Sequence, residues 1–176
     1  MHYPNKTIED LLAAYKPVLG NDFDKYKNHV YRVFLNCILL DEQPDHVEKY
    51  AIAAVFHDIG IWTDHTIDYL YPSIDQMEVF LLNSGNKRWI NEITLMIYWH
   101  HKVGSYHGHY EKTVESFRKA DWIDVSLGLL SFGADRKRII ENRIMLPNLG
   151  FHVFLIKKIV RNFLQHPLNP IPMFKS

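Results

Sequence analysis

Ala51-Ile-Ala-Ala-Val-Phe-His-Asp-Ile-Gly60 decides how this chain is read. Every residue from Tyr50 to Phe56 is apolar or aromatic. That leaves no wet face for a helix, so the segment reads as one buried on all sides. It ends in the adjacent pair His57-Asp58, and Gly60 stands where a left-handed C-cap is expected. A carboxylate beside an imidazole at the end of a buried helix is costly unless something neutralises it. A divalent metal does so directly, because neutral imidazole and carboxylate are both good ligands. An exposed helix end with a capping histidine is the plainer alternative for the pair taken alone.

The rest of the chain narrows the choice. Its 176 residues, 47% hydrophobic, suit one compact domain with a sizeable core. Lys+Arg and Asp+Glu balance at 20 each, so no basic field argues for a nucleic-acid partner. Eleven histidines are an excess that needs a reason. The single cysteine, Cys37, lies in an apolar run and is expected as a buried thiol. No apolar stretch has the length of a signal peptide or a membrane span, so a soluble cytoplasmic protein is the expectation.

Helical periodicity recurs along the chain and strand signals are scarce, which predicts an all-α, single-domain helical bundle. Thr7 is expected to cap a first helix that Pro17 and Gly20 break. A second helix runs from about Asp24 to Leu40, with Tyr26, His29, Val33, Cys37 and Leu40 on its inward stripe. The central helix starts at Gln43-Pro-Asp45. Ile61 to Tyr71 is too mixed to assign, and Pro72-Ser73 opens the next helix. Another spans roughly Lys87 to Lys102, its apolar face of Ile90, Ile93, Met96 and Ile97 continuing into His100 and His101. Val114 to Leu130 reads as a helix with Val114, Phe117, Asp121, Val125 and Gly128 on one face. Helices near Asp135–Met145 and Phe151–Gln165 follow, and the proline-rich tail from Pro167 is expected to lie extended on the body.

His29, His57-Asp58 and Asp121 thus come from three predicted helices, each on an apolar side or a buried end. A lone inward histidine is usually a satisfied core residue, whereas a lone inward aspartate needs a cation or donors. Arg118 or Lys119 would supply that for Asp121 if the role were structural.

The pattern of a His, an adjacent His-Asp and a distant Asp resembles the HD-domain superfamily of metal-dependent phosphohydrolases. The matching segments are Asn28-His-Val-Tyr-Arg32, Val55-Phe-His-Asp-Ile-Gly60 and Arg118-Lys-Ala-Asp-Trp122, and the likeness covers roughly residues 24 to 130. It implies that His29, His57, Asp58 and Asp121 bind a divalent ion (iron, manganese, zinc, cobalt or nickel) inside a helical bundle. It further implies a second ion at His100/His101 in the branches where a later helix ends in paired histidines. The chain departs from the cyclic-dinucleotide phosphodiesterase branch in carrying Lys102 where an acid follows those histidines, and in lacking Gly-Tyr-Pro. Ile61 and Trp62 replace the acid that nucleotidases and alarmone hydrolases carry after His-Asp. The form His-Asp-Ile-Gly-Ile-Trp also resembles the branch that includes cyanamide hydratase.

The leading expectation is hydrolysis of a nucleotide or small phosphorylated metabolite by metal-activated water. Asp58 would touch that water as well as the metal. Asp64 is the nearest carboxylate able to orient it, and His100 is a candidate for proton transfer. Lys102, Arg118 and Arg32 are the candidate phosphate cations, with His101 and Trp62 as further substrate contacts. His65 is a loop histidine, expected to be exposed rather than a ligand. Two other readings stay open: a hydratase or lyase with a small apolar pocket, and a non-catalytic domain that keeps a metal for stability or ligand sensing. The Phe/Leu-rich last helix could mediate a homodimer, and packing on the bundle explains it equally well.

Overall fold

The computed structural model describes residues 2–165, with side chains placed through Leu164. Among these residues there is no strand, and the chain is an all-α bundle. Its helices are α1 (Lys6–Leu19), α2 (Phe23–Leu40), α3 (Pro44–Phe56), the single turn α4 (Gly60–Thr63), α5 (Leu70–Asn83), α6 (Ile90–Trp99), α7 (Glu111–Val125), α8 (Arg136–Met145) and α9 (Phe151–Gln165). No helix among them is long and apolar enough to cross a membrane.

The opening stretch does form the centre. Pro44 sits in the first turn of α3, where its missing N–H costs nothing, and extended Gln43 leads into it. From Tyr50 to Phe56 no residue is more than 1% exposed. Helices α1, α2, α5, α6 and α7 enclose α3 between them. Truncating Phe56 to alanine at this position would cost about 3–5 kcal/mol.

Gly60 is not a left-handed C-cap. It begins α4, and a Cβ there would stand 2.6 Å from the Tyr69 carbonyl oxygen and 2.9 Å from Pro72 Cβ. Its N–H donates to Ser73 Oγ at 2.9 Å. Close approach of α5 to the end of α3, not a positive φ, is what requires glycine here.

Other boundaries shift for identifiable reasons. Asn5, not Thr7, caps α1, accepting from the Ile8 N–H at 3.1 Å. Helix α1 runs through Pro17 to Leu19, because Pro17 lies in its last turn and the Ala13 carbonyl it leaves unpaired is on an exposed face. The expected 87–102 helix is a 3-10 turn over Lys87–Trp89 followed by α6, and His100-His101 form the turn that leaves it. Helix α7 stops at Val125, with Leu127 and Gly128 at φ 59° and 82° and the Gly128 N–H returning 2.8 Å to Ile123 O. Gly128 therefore ends the helix and is not part of its face. The expectation for the tail from Pro167 falls outside the described residues.

Candidate metal centre

The buried end of α3 meets the buried faces of α2 and α7. Helix α2 contributes His29, the end of α3 contributes His57 and Asp58, and α7 contributes Asp121, all at most 2% exposed. His100, fully buried at the end of α6, and half-buried His101 complete the group.

The ring orientations are fixed from behind. His57 donates Nδ1–H to Ala54 O at 2.8 Å, and His100 donates Nδ1–H to Ile97 O at 2.5 Å, each to its own helix one turn back. His29 places Nδ1 2.8 Å from Asp124 Oδ2. All three rings are thereby left with Nε2 facing a common hollow, as metal-binding imidazoles are. Phe151, the first residue of α9, stacks on His29 with ring centres 4.1 Å apart.

His29 Nε2 and His57 Nε2 stand 2.9 Å apart, and Asp58 Oδ2 lies 3.5 and 3.4 Å from them. Asp121 Oδ1 is 3.9 Å from both nitrogens. On the other side, Asp58 Oδ1 is 3.4 Å from His100 Nε2, and Asp121 Oδ2 is 3.7 Å from His101 Nδ1. Donors about 2.0–2.2 Å from one ion are roughly 3.0–3.5 Å from each other, so the tighter of these edges are those of a coordination shell. Two groups of ligand atoms qualify: His29, His57 and Asp58; and Asp58, His100 and His101. Asp58 belongs to both, one oxygen for each.

The polar accounting points the same way. Among the described residues, four buried side-chain atoms lack a hydrogen-bond partner, and three of them, Asp58 Oδ1, His100 Nε2 and Asp121 Oδ1, belong to this cluster; the fourth is Thr94 Oγ1. Leaving such atoms unpaired costs about 1–3 kcal/mol each. Concentrated on one hollow, the three fit a cation rather than independent defects.

In the metal-free protein, protons stand in. Burial depresses the Asp58-flanked His57 to about 3, so this ring is neutral. His29 rises to about 9: burial opposes its charge, but Asp124 and Asp58 hold it. Burial raises Asp121 to about 7, offset only in part by His100 and His29. Asp58 is held well below the carboxylate range despite its burial, through His57, His100 and His29.

The structure commits five of the sequence candidates, Asp64, Arg118, Lys102, Trp62 and Arg32, to partners outside the His/Asp cluster. Asp64 is exposed and accepts from the Thr63 hydroxyl at 2.7 Å. Arg118, buried, forks onto Glu115 at 2.6 and 2.9 Å and donates to Lys102 O at 3.1 Å. Lys119 also reaches Glu115, so neither cation serves Asp121. Lys102 holds its ammonium 5.0 Å over the Tyr98 ring. Trp62 donates to Asp22 at 2.9 Å and stacks on Phe154, a structural wall. Arg32 is likewise committed, to Asp124 at 2.5 and 2.9 Å.

Two residues that contact the cluster are absent from the sequence expectations. Asp124 accepts from His29, Arg32 and Arg143, and its signal was present: it lies three residues after Asp121, as Arg32 lies three after His29. Tyr69, 2% exposed, is hydrogen-bonded through its hydroxyl to His101 Nε2. Nothing in the mixed segment 61–71 singled it out. A chamber of about 110 Å³ opens from the cluster, lined by Ile67, Tyr69, His101, Asp121, Trp122, Val125, Leu155 and Ile159. Neither lysine nor arginine lines it.

No protein-family model matches this chain, and neither a curated protein nor a solved structure matches it. What can be said of the class is therefore what the fold and the site define: an all-α protein with buried His/Asp groups able to hold a metal ion.

Proposed function

We propose that this chain is a metal-dependent hydrolase of the HD-domain type that acts on a small phosphorylated substrate. The observation that carries the reading is the convergence of buried, unpartnered Asp58 Oδ1, His100 Nε2 and Asp121 Oδ1 beside the Nε2 atoms of His29 and His57. A divalent ion held by His29, His57, Asp58 and Asp121, with or without a second at Asp58, His100 and His101, supplies a water of pKa about 7 and an acid for the phosphoryl oxygen. The chain's own part is to fix the rings through Ala54 O, Ile97 O and Asp124, and to present Asp121 and His101 to the chamber. The apolar chamber walls then take the organic body of the substrate and keep bulk water off the cluster. With Arg32 and Arg118 committed elsewhere, the phosphate charge falls on the metal site itself.

The cation-free chamber favours one second reading, hydration of a small nitrile-like or amide-like molecule at the same site. One panel separates the two. Inorganic phosphate released from phosphomonoesters, lost in Asp58→Asn and kept in Asp64→Asn, supports the hydrolase. Turnover of nitriles alone replaces it with the hydratase, and turnover of neither by metal-loaded protein overturns both.

A further inference from the structure

A second hollow, about 390 Å³, lies beside the chamber and is lined by His65, Thr66, Ile67, Lys158, Arg161 and Asn162. The two share Ile67 and run along successive turns of α9: Leu155 and Ile159 line the chamber, while Lys158 and Arg161 line the hollow. On this helix Lys158 is half-buried and Arg161 exposed. They border a concavity with no carboxylate in its lining, separated by the shared Ile67 side chain from the chamber that reaches Asp121. Asp22, the carboxylate whose proton affinity Lys158 helps to lower, is already held by Lys25 at 2.7 Å and by Trp62.

We infer that this hollow is an anion subsite for the non-reacting end of the substrate. Arg161 offers a planar fork, Lys158 a point charge that rests 5.6 Å over the Phe154 ring, and Thr66 a hydroxyl proton, since its oxygen already accepts from the Asp68 N–H at 3.0 Å. His65 adds a ring nitrogen from the loop that precedes Ile67. The substrate class that fits both spaces has its reacting group at the His/Asp cluster, a short apolar segment in the chamber, and a second anionic group, phosphate or carboxylate, at Lys158 and Arg161. This rests on the cluster being the reaction site.

The test uses the protein as purified, with whatever metal it carries, and sulfate as the probe. Amide hydrogen exchange is followed by mass spectrometry as sulfate replaces chloride at matched ionic strength. The expected result is saturable protection in peptides covering 65–68 and 158–162. Binding should weaken by about tenfold or more in Lys158→Gln/Arg161→Gln, and similarly in Arg161→Glu alone. Absence of protection, protection that survives the double variant, or protection confined to peptides around His29 and His57 would overturn the subsite. Metal content, measured on the same samples, keeps the two claims apart. Protection at 158–162 in a chain that binds no metal retains the anion site and sinks the reaction site, and the converse result does the opposite.

Discussion

Asp121 and Asp124 lie one turn apart on α7, each 1% exposed, and their surroundings give them opposite character. Asp124 is saturated: His29, both faces of the Arg32 fork and Arg143 donate to it, and its carboxyl is held far below the usual range. Asp121 has no such donors, keeps Oδ1 unpartnered and is pushed up to about 7. Burial is the same for both, so the number of cationic donors decides which carboxylate stays charged without a metal. One aspartate holds the scaffold of the site, and the other is left for a ligand.

The largest break in that comparison is Asp124→Asn. It strands the Arg32 guanidinium, itself 1% exposed, and frees the His29 ring. Urea denaturation should show a loss of about 3–5 kcal/mol. Metal affinity should fall by about 10–100-fold as well, because His29 loses the group that orients it. A loss below about 1 kcal/mol would mean that Asp124 is not the anchor described.

Asp121→Asn should act the other way on the metal-free protein. A carboxylate raised from 3.8 to about 7 binds protons more tightly when folded, so its contribution to stability falls as pH climbs between those values. His29, raised to about 9, adds stability that is full below 6.5 and lost as pH passes 9. His57, depressed to about 3, works the other way: its stability is gained as pH rises from 3 to 6.5 and offsets Asp121 over that range, so metal-free wild type is expected to weaken from about pH 6.5 to pH 9. Asp121→Asn should remove the Asp121 share alone, on the order of 4 kcal/mol between about pH 4 and 7, so that stability of the variant rises with pH over that range, while metal binding weakens. Denaturation curves across that range check it; an unchanged slope in the variant contradicts it. Metal uptake at pH 7 should also release more than one proton per chain, readable by calorimetry in buffers of different ionisation enthalpy.

Gly60→Ala probes the approach that sets the end of α3. The added Cβ meets backbone at 2.6 and 3.0 Å, so a thermal melt should report a loss of about 1–3 kcal/mol. The smallest effect is expected for Asp64→Asn, an exposed carboxylate bonded to its neighbour, within about 0.5 kcal/mol and with metal content unchanged.

The helical fold was legible because the apolar positions repeat at 3.6 residues with few competing signals. His29, His57, Asp58, Asp121, His100 and His101 stood out for the same reason, as polar residues on apolar stripes. Asp124 obeyed the same spacing but was missed: its partner Arg32 was read as a candidate phosphate cation, and only packing shows that it is buried against Asp124. Gly60 misled because a glycine after a helix usually marks a left-handed stop, whereas here a distant element, α5, crowds it. Tyr69 and Phe151 reach the cluster through tertiary folding alone. Arg118 shows the reverse error, a cation near a candidate aspartate in sequence that turns one helical step back to Glu115.

The central claim is that the converging histidines and carboxylates hold a metal. Elemental analysis of the purified chain, without added metal, beside His57→Ala tests it most directly. One or two bound transition-metal ions per chain, lost or reduced in the variant, is the predicted result. Wild-type protein that carries no metal, even after reconstitution, would contradict the account.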